Sequence, residues 1–216
     1  MKKYKYLLFD LDGALTYSHP GIYNCVRYAL KKMGWCEPTE QQLRAMVGPS
    51  LYNGFKQNFS MTEQEAARAV NNYRERYSTV GLFENEPIAG AKELLKACKE
   101  AGYKTALATL KPKPFADQIA VEFGFMPYFD LAAVALMEEC TKEWVVAELM
   151  KAFGAKSEEC LMIGDRRQDV LGARENGVDT AALRCGYAFE GELEAVEPRY
   201  IFDDLFALKD FLVSEA

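Results

Sequence analysis

Helical patterns and short apolar runs take turns along this chain, and that alternation restricts the fold more than any single motif does. Five amphipathic segments stop at a glycine: Gly34, Gly102, Gly124, Gly154 and Gly177. A glycine just past the last helical turn is the usual stop signal. Short apolar runs follow several of them, at 103–109, 131–135, 160–163 and 179–183, and another opens the chain at 4–9. Five strands separated mostly by helices predict an α/β fold, a doubly wound, Rossmann-like parallel sheet with helices on both faces. A chain of 216 residues, 50% of them hydrophobic, is long enough to bury such a core and carry a smaller insertion.

Residues 17–82 interrupt the alternation. They hold helical patterns at 22–33 and 63–80, and Thr39 and Thr62 each stand three residues before a Gln or Glu, the spacing of a capping box. No convincing strand falls there. The expected division is therefore an α/β core from 1–16 and 83–216, with an all-α helical cap from 17–82. No repeat or low-complexity segment is visible, and no Pro/Gly/Ser linker is long enough to separate independent domains.

In a doubly wound sheet, ligands bind beyond the carboxyl ends of the strands. The first run delivers Asp10 and Asp12 there, followed by Gly13, which permits a sharp exit. Two carboxylates one residue apart repel each other and call for a cation, most simply a divalent metal with oxygen ligands. A calcium loop of the D-x-[DN]-x-[DN]-G-x5-E type does not fit, because Ala14 and Gly21 occupy ligand positions. The run at 103–109 ends in the hydroxyl of Thr109, with Leu110 and Lys111 next. Thr141-Lys142 opens an amphipathic helical pattern. The run at 160–163 leads into Gly164-Asp165-Arg166-Arg167-Gln168-Asp169, whose two aspartates share a face if a helix begins at once. Taken singly, a strand-end threonine, a first-turn lysine and an N-cap aspartate are all ordinary. Together they meet the needs of phosphoryl transfer: carboxylates for Mg2+, a positioned nucleophile, and donors for phosphate oxygens. Neither a G-x-x-x-x-G-K-[ST] loop nor a G-x-G-x-x-G turn is present, which disfavours a nucleotide-driven kinase or a dehydrogenase.

At these residues the chain resembles the haloacid dehalogenase-like hydrolases, whose motifs are D-x-D-G-[TV], a strand-end Thr or Ser, a lysine, and G-D-x-x-x-D. They stand here as Asp10-Leu11-Asp12-Gly13-Ala14, Thr109, Lys142 and Gly164 to Asp169. The helical insertion is similar to the small cap of the phosphoglycolate phosphatase-like subfamily. The resemblance implies a nucleophilic Asp10 that forms an aspartyl-phosphate, and an Asp12 that protonates the leaving alcohol and then activates water. It implies Mg2+ at Asp10, Asp12 (through its carbonyl) and Asp165, with Asp169 in support. Thr109 and backbone amides of the Thr109-Leu110-Lys111 turn would bind phosphate, and Lys142 would pair with Asp10, with Lys111 as a rival for that role. Ala14 departs from the family's Thr or Val. An acid at Asp12 favours phosphate esters, since halide leaves without a proton.

The expected function is a Mg2+-dependent phosphatase acting on a small phosphomonoester of the phosphoglycolate kind. A sugar phosphomutase and a 5'-nucleotidase are alternatives of the same chemistry, and a non-catalytic binding module is the alternative of another class. Specificity is expected from the cap, at Arg44 and the loop carrying Ser50. A net charge of -6 without a basic run argues against a nucleic acid polymer as partner. Six cysteines without a C-x-x-C pair read as reduced thiols. With no N-terminal apolar h-region and no transmembrane-length run, they predict a cytoplasmic monomer or homodimer that does not engage membranes. The single histidine, His19, reads as a surface or loop residue.

Overall fold

The computed structural model describes residues 3–134 and 140–215. Its main sheet has six parallel strands in the order β5-β4-β1-β6-β7-β8. These are β1 (Tyr6–Phe9), β4 (Lys104–Thr109), β5 (Leu131–Val134), β6 (Cys160–Gly164), β7 (Asp179–Leu183) and β8 (Tyr200–Phe202). A two-stranded antiparallel ribbon pairs β2 (Thr16–Tyr17) with β3 (Glu86–Pro87). Every residue of β6 is buried, as are all but the first of β1, β4 and β7. Continuous apolar strands of this kind are what a sheet covered on both faces requires.

Helices cover those faces. After β3 come α5 (Ala91–Glu100), α6 (Lys113–Glu122), α7 (Lys142–Phe153), α8 (Arg167–Glu175), α9 (Glu192–Ala195) and α10 (Leu205–Ser214). The five glycines expected to stop helices all adopt positive φ. The α/β, doubly wound architecture expected from the alternation is present. The strand β8 was not anticipated: Tyr-Ile-Phe is three residues long, lies at the sheet edge and is only half-buried. The predicted end of the third run, Ala135, lies outside the described residues.

Between the two strands of the ribbon the chain forms α1 (His19–Lys32), α2 (Glu40–Ala45), α3 (Leu51–Phe59) and α4 (Glu63–Tyr77), then a 3-10 turn at Gly81–Phe83. Both capping boxes form: Thr39 accepts from the amide of Gln42 and Thr62 from that of Glu65. His19 is not in a loop. It begins α1, half-buried, and its ring stands edge-on to Tyr17, Tyr23 and Tyr187. Where this segment enters and leaves, two glycines bring backbone against backbone. The Gly21 amide donates to the Glu84 carbonyl at 3.0 Å, and a Cβ on Gly21 would lie 2.0 Å from the Gly81 carbonyl oxygen.

Register then sets the site. Phe9 of β1 is level with Leu107 of β4 and with Ile163 of β6. The residues that follow, Asp10, Thr109 and Asp165, therefore emerge side by side at the carboxyl edge. From β1 the chain moves outward to β4 and β5, then crosses back to β6 on the other side of β1, so the carboxyl end of β1 lies at the topological switch point.

Candidate active site

Asp10 leaves β1 buried, and its amide still donates to the Ile163 carbonyl at 2.8 Å. Lys142 comes from the first turn of α7, a position where the helix dipole disfavours a cation. Its ammonium is nonetheless buried, 2.8 Å from Asp10 Oδ1, 2.8 Å from Asp169 Oδ1, and donating to the Ala108 carbonyl at 2.8 Å. Burial works against the charge on Lys142, but Asp10 and Asp169 outweigh it and raise its pKa. Asp165 directly follows β6 and Asp169 lies in the first turn of α8. The Asp169 carboxylate turns back to accept from the amides of Asp165 and Arg166, at 3.1 and 3.0 Å. That turn brings both aspartates to Asp10, and ligand oxygens of all three lie within 4.8 Å of one another.

Gly13 makes this packing possible. Its φ is +90°, and a Cβ there would stand 2.2 Å from Asp165 Oδ2. The neighbouring Ala14 is fully buried within the hydrophobic core, so the departure from Thr or Val fills an apolar position.

Three buried carboxylates against one ammonium leave two negative charges uncompensated. Burial, with repulsion from Asp169 and Asp12, pushes Asp10 up to about 7 against the pull of Lys142. Burial and the other two aspartates raise Asp165 as well. Asp165 Oδ1 is buried and makes no hydrogen bond among the described residues. A donor set of oxygens alone, a surplus of two charges and an unpartnered ligand atom fit a hard divalent cation such as Mg2+. The Asp12 carboxylate is not in this cluster. It pairs with Lys111 instead, Nζ to Oδ2 at 3.0 Å.

These raised values fix the sign of a pH effect. Without metal, the folded protein holds protons that the unfolded chain releases, so stability falls as pH rises from 3.8 toward about 7. Mg2+ bound at these carboxylates would compete with those protons. Its stabilisation should therefore be small at pH 5 and full at pH 8. There, Mg2+ at one hundred times its Kd should raise Tm by about 5–11 °C. Differential scanning fluorimetry with and without EDTA at the two pH values checks this. A Mg2+ shift that is larger at pH 5 would remove the carboxylate cluster as the binding site.

Asp10 and Asp12 face a cavity of about 240 Å³, with Thr109, Leu110, Lys111 and Ser50 also in its wall. Thr109 Oγ1 accepts from the Lys111 amide at 3.1 Å, which closes the turn after β4. Ser50 lines the cavity while also capping α3, accepting from the Asn53 amide at 3.4 Å. Arg44, expected at the substrate, is elsewhere. Its guanidinium donates to the carbonyls of Tyr187 (2.9 Å) and Ala188 and stacks on the Phe189 ring, tying α2 to the loop after β7. Arg44 is an arginine on an amphipathic helix, and its sequence does not distinguish a tether from a ligand. Sequence reasoning also missed several residues. Arg74, Tyr73 and Tyr77 of α4 line the cavity. The Tyr187 amide donates to Asp165 Oδ2 at 2.5 Å. The i, i+4 spacing of Tyr73 and Tyr77 was the available signal; for a backbone amide there was none.

The geometry agrees with comparison to known proteins. Residues 7–183 match the family model described as haloacid dehalogenase-like hydrolase. A 5'-nucleotidase of Pseudomonas aeruginosa is 39% identical over 214 residues, 98% of this chain and 97% of the relative. A phosphoglycolate phosphatase of Vibrio vulnificus is 28% identical over 222 residues, 98% of this chain and 97% of its own. The crystal structure of a predicted phosphatase from Clostridium acetobutylicum superposes with a TM-score of 0.93 at 34% identity, covering 98% of this chain and 99% of that one. By family model, relatives and fold together, the chain belongs to the haloacid dehalogenase-like hydrolases and is a phosphoric monoester hydrolase.

Proposed function

We propose that the protein is a Mg2+-dependent phosphatase that cleaves a small phosphomonoester through an aspartyl-phosphate on Asp10. One observation carries this reading: two strand-end carboxylates, each paired with its own buried lysine, face one cavity. Asp10, Asp165 and Asp169 would hold Mg2+, together with the Asp12 carbonyl, and the bound ion would neutralise phosphate oxygens. The Asp10 carboxylate attacks phosphorus while the leaving alkoxide takes a proton from Asp12. Asp12 then removes a proton from water, whose oxygen attacks the same phosphorus and releases Asp10 and inorganic phosphate. Lys142 favours the ionised form of Asp10 and orients it, and Thr109 with nearby amides holds the transferring oxygens.

In the same reading, residues 1–16 and 83–216 form the catalytic core and 17–82 the cap that selects the substrate. The cavity favours the nucleotidase reading over phosphoglycolate. Tyr73, Tyr77 and Phe115 form an aromatic wall beside Ile22, Met46 and Leu51, which suits the flat, partly apolar body of a nucleoside. Phosphoglycolate offers only a single carboxylate beyond its phosphate. A cytoplasmic location suits six cysteines that are all free thiols, and no helix of the described residues is long and apolar enough to cross a membrane.

The test is hydrolysis of nucleoside monophosphates, phosphoglycolate and sugar phosphates, with Mg2+ and with EDTA. Activity should require Mg2+, need no bisphosphate activator, and be higher on a nucleoside monophosphate than on phosphoglycolate. Full activity in EDTA would end the metal reading, and dependence on a bisphosphate would make the protein a phosphomutase.

The two lysines should differ in weight. Lys142→Ala removes a charged contact to the nucleophile, so kcat/KM should fall about 10- to 150-fold. It also leaves buried carboxylates uncompensated, which should cost about 3–5 kcal/mol of stability. Lys111→Ala should cost less activity, because its partners are Asp12 and Tyr77. Steady-state kinetics of both variants decide, and the reverse order would move the nucleophile's partner to Lys111.

A further inference from the structure

Helix α4 reaches Asp12 through a connection that the proposed chemistry does not use. Tyr77, the last residue of α4, is buried. Its hydroxyl accepts a hydrogen bond from Lys111 Nζ at 2.7 Å, and the same ammonium lies 4.9 Å from its ring centroid. That ammonium is also 3.0 Å from Asp12 Oδ2. The other carboxylate oxygen, Asp12 Oδ1, is buried and makes no hydrogen bond among the described residues. Tyr77 is itself held on two sides: Tyr73 stacks on it at 5.2 Å and 19°, and Phe115 meets it edge-on at 5.2 Å. One oxygen of Asp12 is thus anchored, through a lysine, to a rigid ring on the helical segment, while the other, buried, is left without a partner among the described residues, in a residue that lines the cavity.

We propose that Tyr77 is a positioning residue that acts through Lys111 to decide which oxygen of Asp12 meets the substrate. Lysine is a flexible chain with three donors, and it fixes a neighbour only when its own ammonium is fixed. Tyr77 supplies both an acceptor and an aromatic face for that ammonium. With Oδ2 held, Oδ1 carries the proton to the ester oxygen as the P–O bond breaks and the Asp10–phosphorus bond forms. Oδ1 takes the proton back from water as water bonds to phosphorus and Asp10 leaves. Proton transfer therefore depends on where α4 lies. The inference rests on Asp12 being the acid of the proposed reaction.

Tyr77→Phe tests it, because the ring, its stacking and its cation–π contact remain while the acceptor is lost. The two probes are glycerol 2-phosphate, whose alkoxide needs a proton, and p-nitrophenyl phosphate, whose phenolate needs little. The expected result is about a tenfold loss in kcat/KM on the alkyl ester, which reports the steps up to phosphoenzyme formation and lies below the roughly 10²-fold that a 1 Å misplacement can cause, and less than a twofold loss in kcat/KM on the aryl ester. In an Asp12→Asn background, Tyr77→Phe should cause no further loss, since both changes act through the Asp12 carboxyl. Equal losses in kcat/KM on the two esters, or additive losses in the double variant, would overturn the link and leave Tyr77 as a packing residue. If Asp12→Asn alone lowers kcat/KM equally on the two esters, Asp12 is not the acid, and both readings fall together.

Discussion

Asp10→Asn should turn over no phosphomonoester at a measurable rate, a loss on the order of 10⁴-fold or more, and should form no phosphoenzyme. The amide keeps the size of the carboxylate but is no nucleophile toward phosphorus. The fold should survive the change. Lys142 keeps the Asp169 carboxylate and the Ala108 carbonyl. The crowded cluster also loses one of its three charges. Because burial and repulsion already push Asp10 up to about 7, its ionised form is a burden on the metal-free protein at pH 8. The variant should therefore melt no lower than the wild type in EDTA at that pH, although it is inactive. Trapping with labelled substrate, followed by a test for hydroxylamine-sensitive phosphate, measures the first expectation, and calorimetry the second. A phosphorylated Asp10→Asn protein would move the nucleophile to another residue.

Asp12→Asn should behave differently. In the proposed mechanism it removes the proton donor and not the nucleophile, so turnover of an alkyl ester should fall about 10²–10⁴-fold. The loss on p-nitrophenyl phosphate should be much smaller in the first step, since its leaving group needs little protonation. Release of phosphate from the enzyme, which needs a base toward water, should become slow, and phosphoenzyme should accumulate. A burst of nitrophenolate followed by a slow steady phase is the signature to seek in stopped-flow traces. A uniform loss on both esters, with no burst, would take Asp12 out of proton transfer.

Much of this arrangement was readable before any coordinates, because the features concerned are local. A buried parallel strand is a run of apolar residues, and a helix stop is a glycine, so the alternation that sets the sheet is written in short windows. Asp10, Asp12, Thr109, Lys142, Asp165 and Asp169 were legible because a doubly wound sheet sends every strand end to one edge. What escaped depends on long-range packing. Strand β8 is too short to carry a pattern and owes its place to pairing with β7. Arg44 looked like a ligand residue because charge on a cap helix is the same in sequence whether it meets a substrate or, as here, two backbone carbonyls. The separation of the Asp12 carboxylate from the cluster of Asp10, Asp165 and Asp169 follows from Lys111, whose ammonium claims it across the turn after β4. The tie from Tyr77 to Lys111 spans residues far apart in the chain, and only the folded helix α4 brings them together.

The contact of Gly21 with Gly81 has a consequence for how such enzymes diversify. The helical segment starts and ends at one point, backbone on backbone, with no room for a side chain between. To the sheet, everything between those glycines is a loop whose closure is already set. Doubling the length of a flexible loop costs only about 0.6 kcal/mol in closure entropy, so the core tolerates exchange of the whole segment for one of another length or sequence. A chimera that takes the corresponding segment of a relative at these two glycines should keep the metal-site carboxylates in place and inherit the donor's choice of ester, making substrate preference a replaceable cassette on a fixed hydrolytic sheet.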